Sequence, residues 1–139
     1  MFRYELDQHR KIMVLVVHGT QDGWEGKMMI DGWKLHAPEI DSDWKLILDL
    51  GEYVSPHGYA EKEQRRLASI IASQNLSKKM LVRAESHEVN APFTENVTYD
   101  EHPDFLSAWR SAGGDSRDTL IPAPADGSRY PANNAPPRG

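Results

Sequence analysis

The 139-residue chain contains no cysteine. That absence excludes disulfide bonds, iron–sulfur clusters, thiolate zinc sites and a cysteine nucleophile. No apolar run approaches the roughly 18–20 residues of a membrane-spanning helix, and Arg3 and Glu5 make the start too charged for a signal peptide. We therefore expect a cytoplasmic protein without a membrane span.

The chain also lacks a net positive charge. Its 16 Lys and Arg residues against 21 Asp and Glu residues leave a formal net charge of −5. Nonspecific nucleic-acid binding depends on a positive field, so we expect no nucleic-acid partner. Neither a glycine-rich phosphate loop nor a Gly-x-Ser-x-Gly nucleophile motif is present, which removes the usual signals of nucleotide transfer and hydrolysis.

Proline and glycine are concentrated near the C-terminal end. Residues 113–139 hold five of the nine prolines and four of the ten glycines, and their Asp and Arg charges cancel. Few large apolar side chains are available there to offset the entropy cost of ordering. We expect one mildly acidic folded domain over residues 1–112, followed by a disordered C-terminal tail over residues 113–139.

Apolar patterning predicts a small sheet. An edge strand is expected where apolar and polar residues alternate, and interior strands where β-branched and other apolar residues run together. The predicted strands cover residues 2–6, 12–17, 44–50, 80–82 and a short 97–99. A polar turn separates the first two, which predicts an opening antiparallel β-hairpin.

The first helix is predicted over residues 23–36. Asp22, with Glu25 three positions later, is typical of a helix start, and Pro38 stops the helix. Three glycines lower its helix propensity, so tertiary packing must stabilise it.

Two further helices are expected. An amphipathic stripe predicts one over residues 59–76, and Asp100 predicts the start of another that Gly113-Gly114 ends. Strands that alternate with helices pair in parallel. The sequence therefore predicts an α/β sandwich with a mixed, largely parallel sheet of four or five strands and about three packed helices.

The order of elements resembles the STAS domain, and more narrowly its SpoIIAA-like branch among STAS/SEC14-type domains. The resemblance covers residues 2 to about 112, and rests on the hairpin, the strand Lys45-Leu46-Ile47-Leu48-Asp49-Leu50, and Val97-Thr98-Tyr99-Asp100 leading into Leu106-Ser107-Ala108-Trp109. It implies a non-enzymatic regulatory or protein-binding module, such as an antagonist of anti-sigma factors. A small-molecule or lipid-binding SEC14-like domain is the alternative within this family.

In this family the phospho-acceptor lies in an Asp-Ser-Ser-Gly-like turn after the strand that ends in Asp-Leu. Here the corresponding turn is Ser55-Pro56-His57-Gly58, which places His57 at the acceptor position and Ser55 where Asp is usual. Ser followed by Pro is also typical of a helix N-cap and first turn. Ser55, His57 and Gly58 are therefore a candidate regulatory turn, with helix capping as the alternative role.

Polar side chains follow three of the predicted strands. His18, Glu52, His57 and His87 would meet at the carboxyl ends of parallel strands, where open α/β sheets bind ligands. Imidazole and carboxylate groups are suitable for zinc or for acid–base chemistry. A metal-dependent enzyme using His18, His57 and His87 is thus a second hypothesis, although their spacing matches no metal motif, and the main expectation is no catalytic residue, metal or cofactor.

The first predicted helix carries apolar side chains on two sides. At 100° per residue, Trp24, Met28 and Leu35 share one face, while Met29 and Trp33 lie nearly opposite. A helix that packs only on a sheet leaves one side in solvent, and aromatic and Met side chains are enriched at interfaces. We therefore expect Trp24, Met29 and Trp33 to mark a protein interface, most simply that of a homodimer.

Overall fold

In the computed structural model the described residues are 1–54, 60–85 and 87–114, and side chains are described for all of them except residues 87–89. The candidate turn at Ser55, His57 and Gly58 lies outside the described residues. So do residues 115–139 of the tail predicted over residues 113–139.

In the part of the chain that the structure describes, five strands form one mixed sheet in the order β1-β2-β3-β4-β5. β1 pairs antiparallel with β2, and every later pair is parallel. The predicted α/β class, opening hairpin and largely parallel sheet are therefore confirmed. The strands are β1 (Phe2–Asp7), β2 (Ile12–Val17), β3 (Lys45–Asp49), β4 (Lys78–Val82) and β5 (Asp100–His102).

Within the described ranges, four α-helices pack on this sheet. They are α1 (Gly23–His36), α2 (Glu61–Ser73), α3 (His87–Thr94) and α4 (Phe105–Ser111), with a short 3-10 helix over Ala37–Glu39. α1 begins as predicted, because the carboxylate of Asp22 accepts a hydrogen bond from the backbone N–H of Glu25 at 2.8 Å. The number of helices exceeds the expected three because the sequence patterns did not predict α3.

The end of the domain differs from the prediction. The strand expected at residues 97–99 instead lies at Asp100–His102, and α4 is capped by Asp104 rather than by Asp100. The carboxylate of Asp104 accepts a hydrogen bond from the N–H of Ser107 at 2.8 Å. Val97 and Tyr99 instead pack on the core from a loop, which accounts for their apolar pattern.

Two hydrophobic clusters lie on opposite faces of the sheet. The larger includes side chains of α1, α2 and α3, and the smaller is built from α4 against β2, β3 and β4. The three parallel connections run in one direction across the sheet, so crossovers of one hand place their helices on the same face. Among β2 to β5, the strand order therefore contains no reversal of the kind that opens a ligand crevice in doubly wound sheets.

Candidate functional site

The structure places the three predicted interface residues of α1 on two sides of the helix, one buried and one exposed. Met29 and Trp33 are both 0% exposed and belong to the larger core cluster. The interface role expected for these two residues is therefore wrong for the folded monomer, because they face the sheet. Of the three predicted interface residues, Trp24 alone reaches solvent, with 70% of its surface exposed.

Close packing at two glycines explains which side of α1 is buried. A Cβ atom at Gly26 would lie 2.8 Å from the Cβ of Glu63 on α2, and one at Gly32 would lie 2.7 Å from the ring of Tyr4 on β1. Any larger side chain at either position would push the helix away from its neighbour. The glycines that weaken α1 as an isolated helix are thus what lets it pack closely against α2 and β1.

Tyr4 links the β1-β2 hairpin to the buried side of α1 by a hydrogen bond. Its hydroxyl donates a hydrogen bond to the backbone carbonyl of Met29 at 2.5 Å. Burial raises the pKa of the Tyr4 phenol well above its usual value, because ionisation would place a charge in a poorly solvated site. The phenol therefore stays neutral and keeps donating to α1.

The opposite side of α1 carries an apolar ridge made of Trp24, Met28 and Leu35. Met28 is 47% exposed and Leu35 is 74% exposed. At 100° per residue the three side chains fall within about 40° of one another, over a length of about 16 Å. Among the described residues they are three of only five large apolar side chains that are exposed, so the ridge is a concentrated feature of this surface.

The strand-end residues selected from the sequence have contrasting environments. His18 follows β2 and is 5% exposed, whereas Glu52, after β3, is exposed. Their segments are adjacent, since the N–H of Gly19 donates to the carbonyl of Glu52 at 2.9 Å. His57 and the side chain of His87 lie outside the described residues, so the predicted grouping of all four stays a prediction.

The sequence prediction did not include a buried carboxylate, that of Asp49, at the carboxyl ends of the parallel strands. Asp49 ends β3, is 2% exposed and lies in register between Val16 of β2 and Val82 of β4. One of its oxygens accepts a hydrogen bond from the N–H of Gly51 at 2.9 Å, which shapes the turn after the strand. The sequence signal was a charged residue near the end of an otherwise apolar strand.

The sequence prediction also did not include a buried network of neutral polar side chains. The amide of Gln64 donates to the side-chain carbonyl of Gln21 at 3.0 Å and to the hydroxyl of Tyr53 at 2.7 Å. The amide of Gln21 lies 3.4 Å from the sulfur of Met29. These contacts join α2, the start of α1 and the turn after β3, so their role is to position the two helices. Gln64 could have been found from its place on the apolar stripe of α2.

Neither metal-binding clusters nor spans are found in the part of the chain that the structure describes. No group of three or more His, Asp or Glu side chains there is arranged to hold a metal ion. None of the described helices has both the length and the hydrophobicity needed to cross a bilayer. Comparisons with protein-family models and with curated proteins find no match to this chain.

Proposed function

We propose that the chain is a non-catalytic regulatory module that binds a partner protein through the apolar ridge of α1. The form of regulation that we propose is STAS-like, in the manner of an anti-sigma-factor antagonist without the usual phospho-acceptor turn. We place the module in the cytoplasm, which agrees with a chain that has no cysteine.

The exposure of the apolar ridge is the observation that carries this proposal. Trp24 and Leu35 keep 70% and 74% of their surfaces in water, and neither contributes to the core. Large apolar side chains that are grouped on one exposed helix face favour association, because a partner removes them from water. Aromatic and Met side chains are also the types that are enriched at the centres of protein interfaces.

A second copy of the chain is the simplest partner for this surface. Closed two-fold dimers are the most frequent assemblies of soluble proteins. A ridge about 16 Å long matches one helix-to-helix contact, so two copies of α1 would shield each other's exposed side chains.

Sedimentation velocity tests the proposed dimer. The wild type is compared with a Trp24→Gln/Leu35→Gln variant and with Val54→Gln, which changes an exposed apolar residue outside α1. We expect a concentration-dependent dimer for the wild type and for Val54→Gln, and a monomer for the ridge variant. The ridge substitutions lie in solvent, so at protein concentrations at which all three proteins are monomeric they should unfold at similar denaturant concentrations.

Capture from extracts of the native host separates a different partner from self-association. If the wild type sediments as a monomer, the homodimer is excluded. In that case the proposal requires a host protein that the wild type and Val54→Gln retain and the ridge variant loses. A wild type that neither dimerises nor retains such a protein would exclude this function for the ridge.

A further inference from the structure

A groove runs between α1 and α2 beside the apolar ridge. The two helices touch where Gly26 meets Ala60 and Glu63, and next to this contact lies a cavity of about 400 Å³. That volume lies within the usual range for small-molecule sites, roughly 300–1,000 Å³. Buried Ile30 contributes an apolar part of the lining.

The groove is cationic although the chain as a whole is acidic. Four basic side chains line it, Lys27 and Lys34 from α1 and Lys62 and Arg66 from α2. With Asp31 and Glu63 also present, the lining has a formal charge of +2, against −5 for the whole chain. We call this set of side chains the cationic groove.

None of these four cations has an ion-pair or hydrogen-bond partner within the described ranges. Arg65, the neighbour of Arg66, shows the contrast, because its guanidinium pairs with Glu61 and with Glu95, each at 3.1 Å. Several like charges held around one cavity repel each other, and an anion would relieve that repulsion. The groove therefore has the charge that an anionic ligand requires.

The lining further narrows the ligand class. A phosphate monoester carries a charge of about −1.5 to −2 at neutral pH, which balances the +2 of the groove. A guanidinium such as that of Arg66 can bind phosphate through two parallel hydrogen bonds, and ammonium groups can complete the site. Asp31 and Glu63 can only accept hydrogen bonds when ionised, so they suit hydroxyl groups on the rest of the ligand.

We propose that the cationic groove between α1 and α2 binds a phosphate monoester carried by a small hydroxyl-bearing molecule. The site is separate from the apolar ridge and does not depend on the proposed partner binding. Its ligand is either a free phosphorylated metabolite or the headgroup of lysophosphatidic acid, since both present a phosphate monoester beside a free hydroxyl group.

Isothermal titration calorimetry with glycerol 3-phosphate tests the site, with glycerol as the neutral control. We expect one molecule of glycerol 3-phosphate to bind per chain, more weakly as salt is raised, and no binding of glycerol. Arg66→Gln should weaken binding about tenfold or more, the effect of losing hydrogen bonds to a charged group. The matched control is Arg65→Gln, on the same helix but outside the groove, which should change affinity less than about twofold.

A second measurement identifies the lipid source. Vesicles of phosphatidylcholine with lysophosphatidic acid are compared with vesicles of phosphatidylcholine alone, and acrylamide quenching of tryptophan fluorescence is recorded. Trp24 is the exposed tryptophan of the monomer, whereas Trp33, Trp44 and Trp109 are buried, so at protein concentrations at which the chain is monomeric quenching reports mainly on Trp24. Binding that requires lysophosphatidic acid, is weakened by Arg66→Gln and shields Trp24 supports the site with a lipid headgroup as ligand.

The outcomes decide the proposal in either direction. Binding of glycerol 3-phosphate that Arg66→Gln weakens and Arg65→Gln does not supports the site with a soluble ligand. The proposal is overturned if the wild type binds neither glycerol 3-phosphate nor vesicles with lysophosphatidic acid, or if Arg66→Gln weakens binding no more than Arg65→Gln does. Trp24→Gln/Leu35→Gln should leave the affinity for glycerol 3-phosphate unchanged, which separates this site from partner binding at the ridge.

Discussion

The two sides of α1 are similar in composition and opposite in environment. Each carries a tryptophan and a methionine, yet Trp33 and Met29 are completely buried whereas Trp24 and Met28 are 70% and 47% exposed. Helical periodicity separates the two sides but gives no reason to prefer either one as the core side. The choice is made by neighbours, because the buried side also contains the glycines that let α2 and β1 approach.

This difference teaches that the small residues of a helix can identify its buried side better than the large ones. Gly26 and Gly32 have no side chain with which to fill a core, so their value is the space they leave for Glu63 and Tyr4. The side of α1 that does not contact α2 or β1 stays exposed and is also apolar. This exposed side is the apolar ridge on which the proposed partner binding depends.

Alanine substitution at the two tryptophans should give the largest contrast. Trp33→Ala removes a completely buried ring from the core and should lower the free energy of unfolding by about 3–5 kcal/mol. Trp24→Ala removes an exposed ring and should change it by less than about 0.5 kcal/mol in the monomer. Urea denaturation monitored by circular dichroism measures both values, and equal losses would contradict the assignment of the two sides.

Gly26→Ala tests why this side of α1 is buried. Alanine gains about 1 kcal/mol in helix propensity, but its Cβ would lie 2.8 Å from the Cβ of Glu63, and neither atom can rotate away. Overpacking of this kind costs about 1–3 kcal/mol, so we expect a net destabilisation on the order of 1 kcal/mol. Met28→Ala, on the exposed side, is the control and should have little effect. A stabilised Gly26→Ala protein would show that the two helices are not in close contact.

High pH should lower the free energy of unfolding, because the buried phenol of Tyr4 resists ionisation in the folded state. The folded-state pKa of this phenol is raised by burial, so its contribution to stability is complete below the usual tyrosine pKa near 10 and is lost as pH rises toward the higher folded value. Between the unfolded-state and folded-state pKa values, each tyrosine whose folded-state pKa is raised lowers the free energy of unfolding by about 1.4 kcal/mol for every unit that the pH rises. The pKa of Tyr99 is also raised by burial, so the wild type should combine two such slopes.

Tyr4→Phe should make this pH dependence shallower. Urea denaturation from about pH 9 to pH 11 measures the slope, and Phe2→Leu, a change in the neighbouring aromatic of β1, is the control that keeps both phenols. A Tyr4→Phe protein that keeps the full wild-type slope would show that the Tyr4 phenol is not buried in the folded state.

Most of the sheet could be predicted from the sequence because its interior strands are continuous apolar runs. β2 has the predicted bounds, and α1 begins at the predicted cap, since both signals are local. α3 and β5 could not be predicted in the same way. Asn90 fixes the segment before α3 by accepting from the N–H of Ala84 at 2.8 Å, and β5 is a polar strand held by backbone pairing with β4.

The candidate sites depended more strongly on tertiary structure. The cationic groove joins lysines of α1 to Lys62 and Arg66 of α2, which are about 30 residues further along the chain, and no local pattern relates them. The buried pair of Gln21 and Gln64 is separated by 43 positions in sequence. Such contacts arise only when the crossovers bring α1 and α2 side by side.

The sequence by itself determined the α/β class, the opening hairpin, the start of α1 and the net charge of −5, because each depends on nearby residues or on composition. Only the tertiary structure decided which side of α1 is buried and which basic side chains come together in the cationic groove. The physical reason is that both depend on contacts between distant segments. Gly26 is suited to its position because Glu63 lies against it, and Arg66 belongs to a site because Lys27 and Lys34 line the same groove.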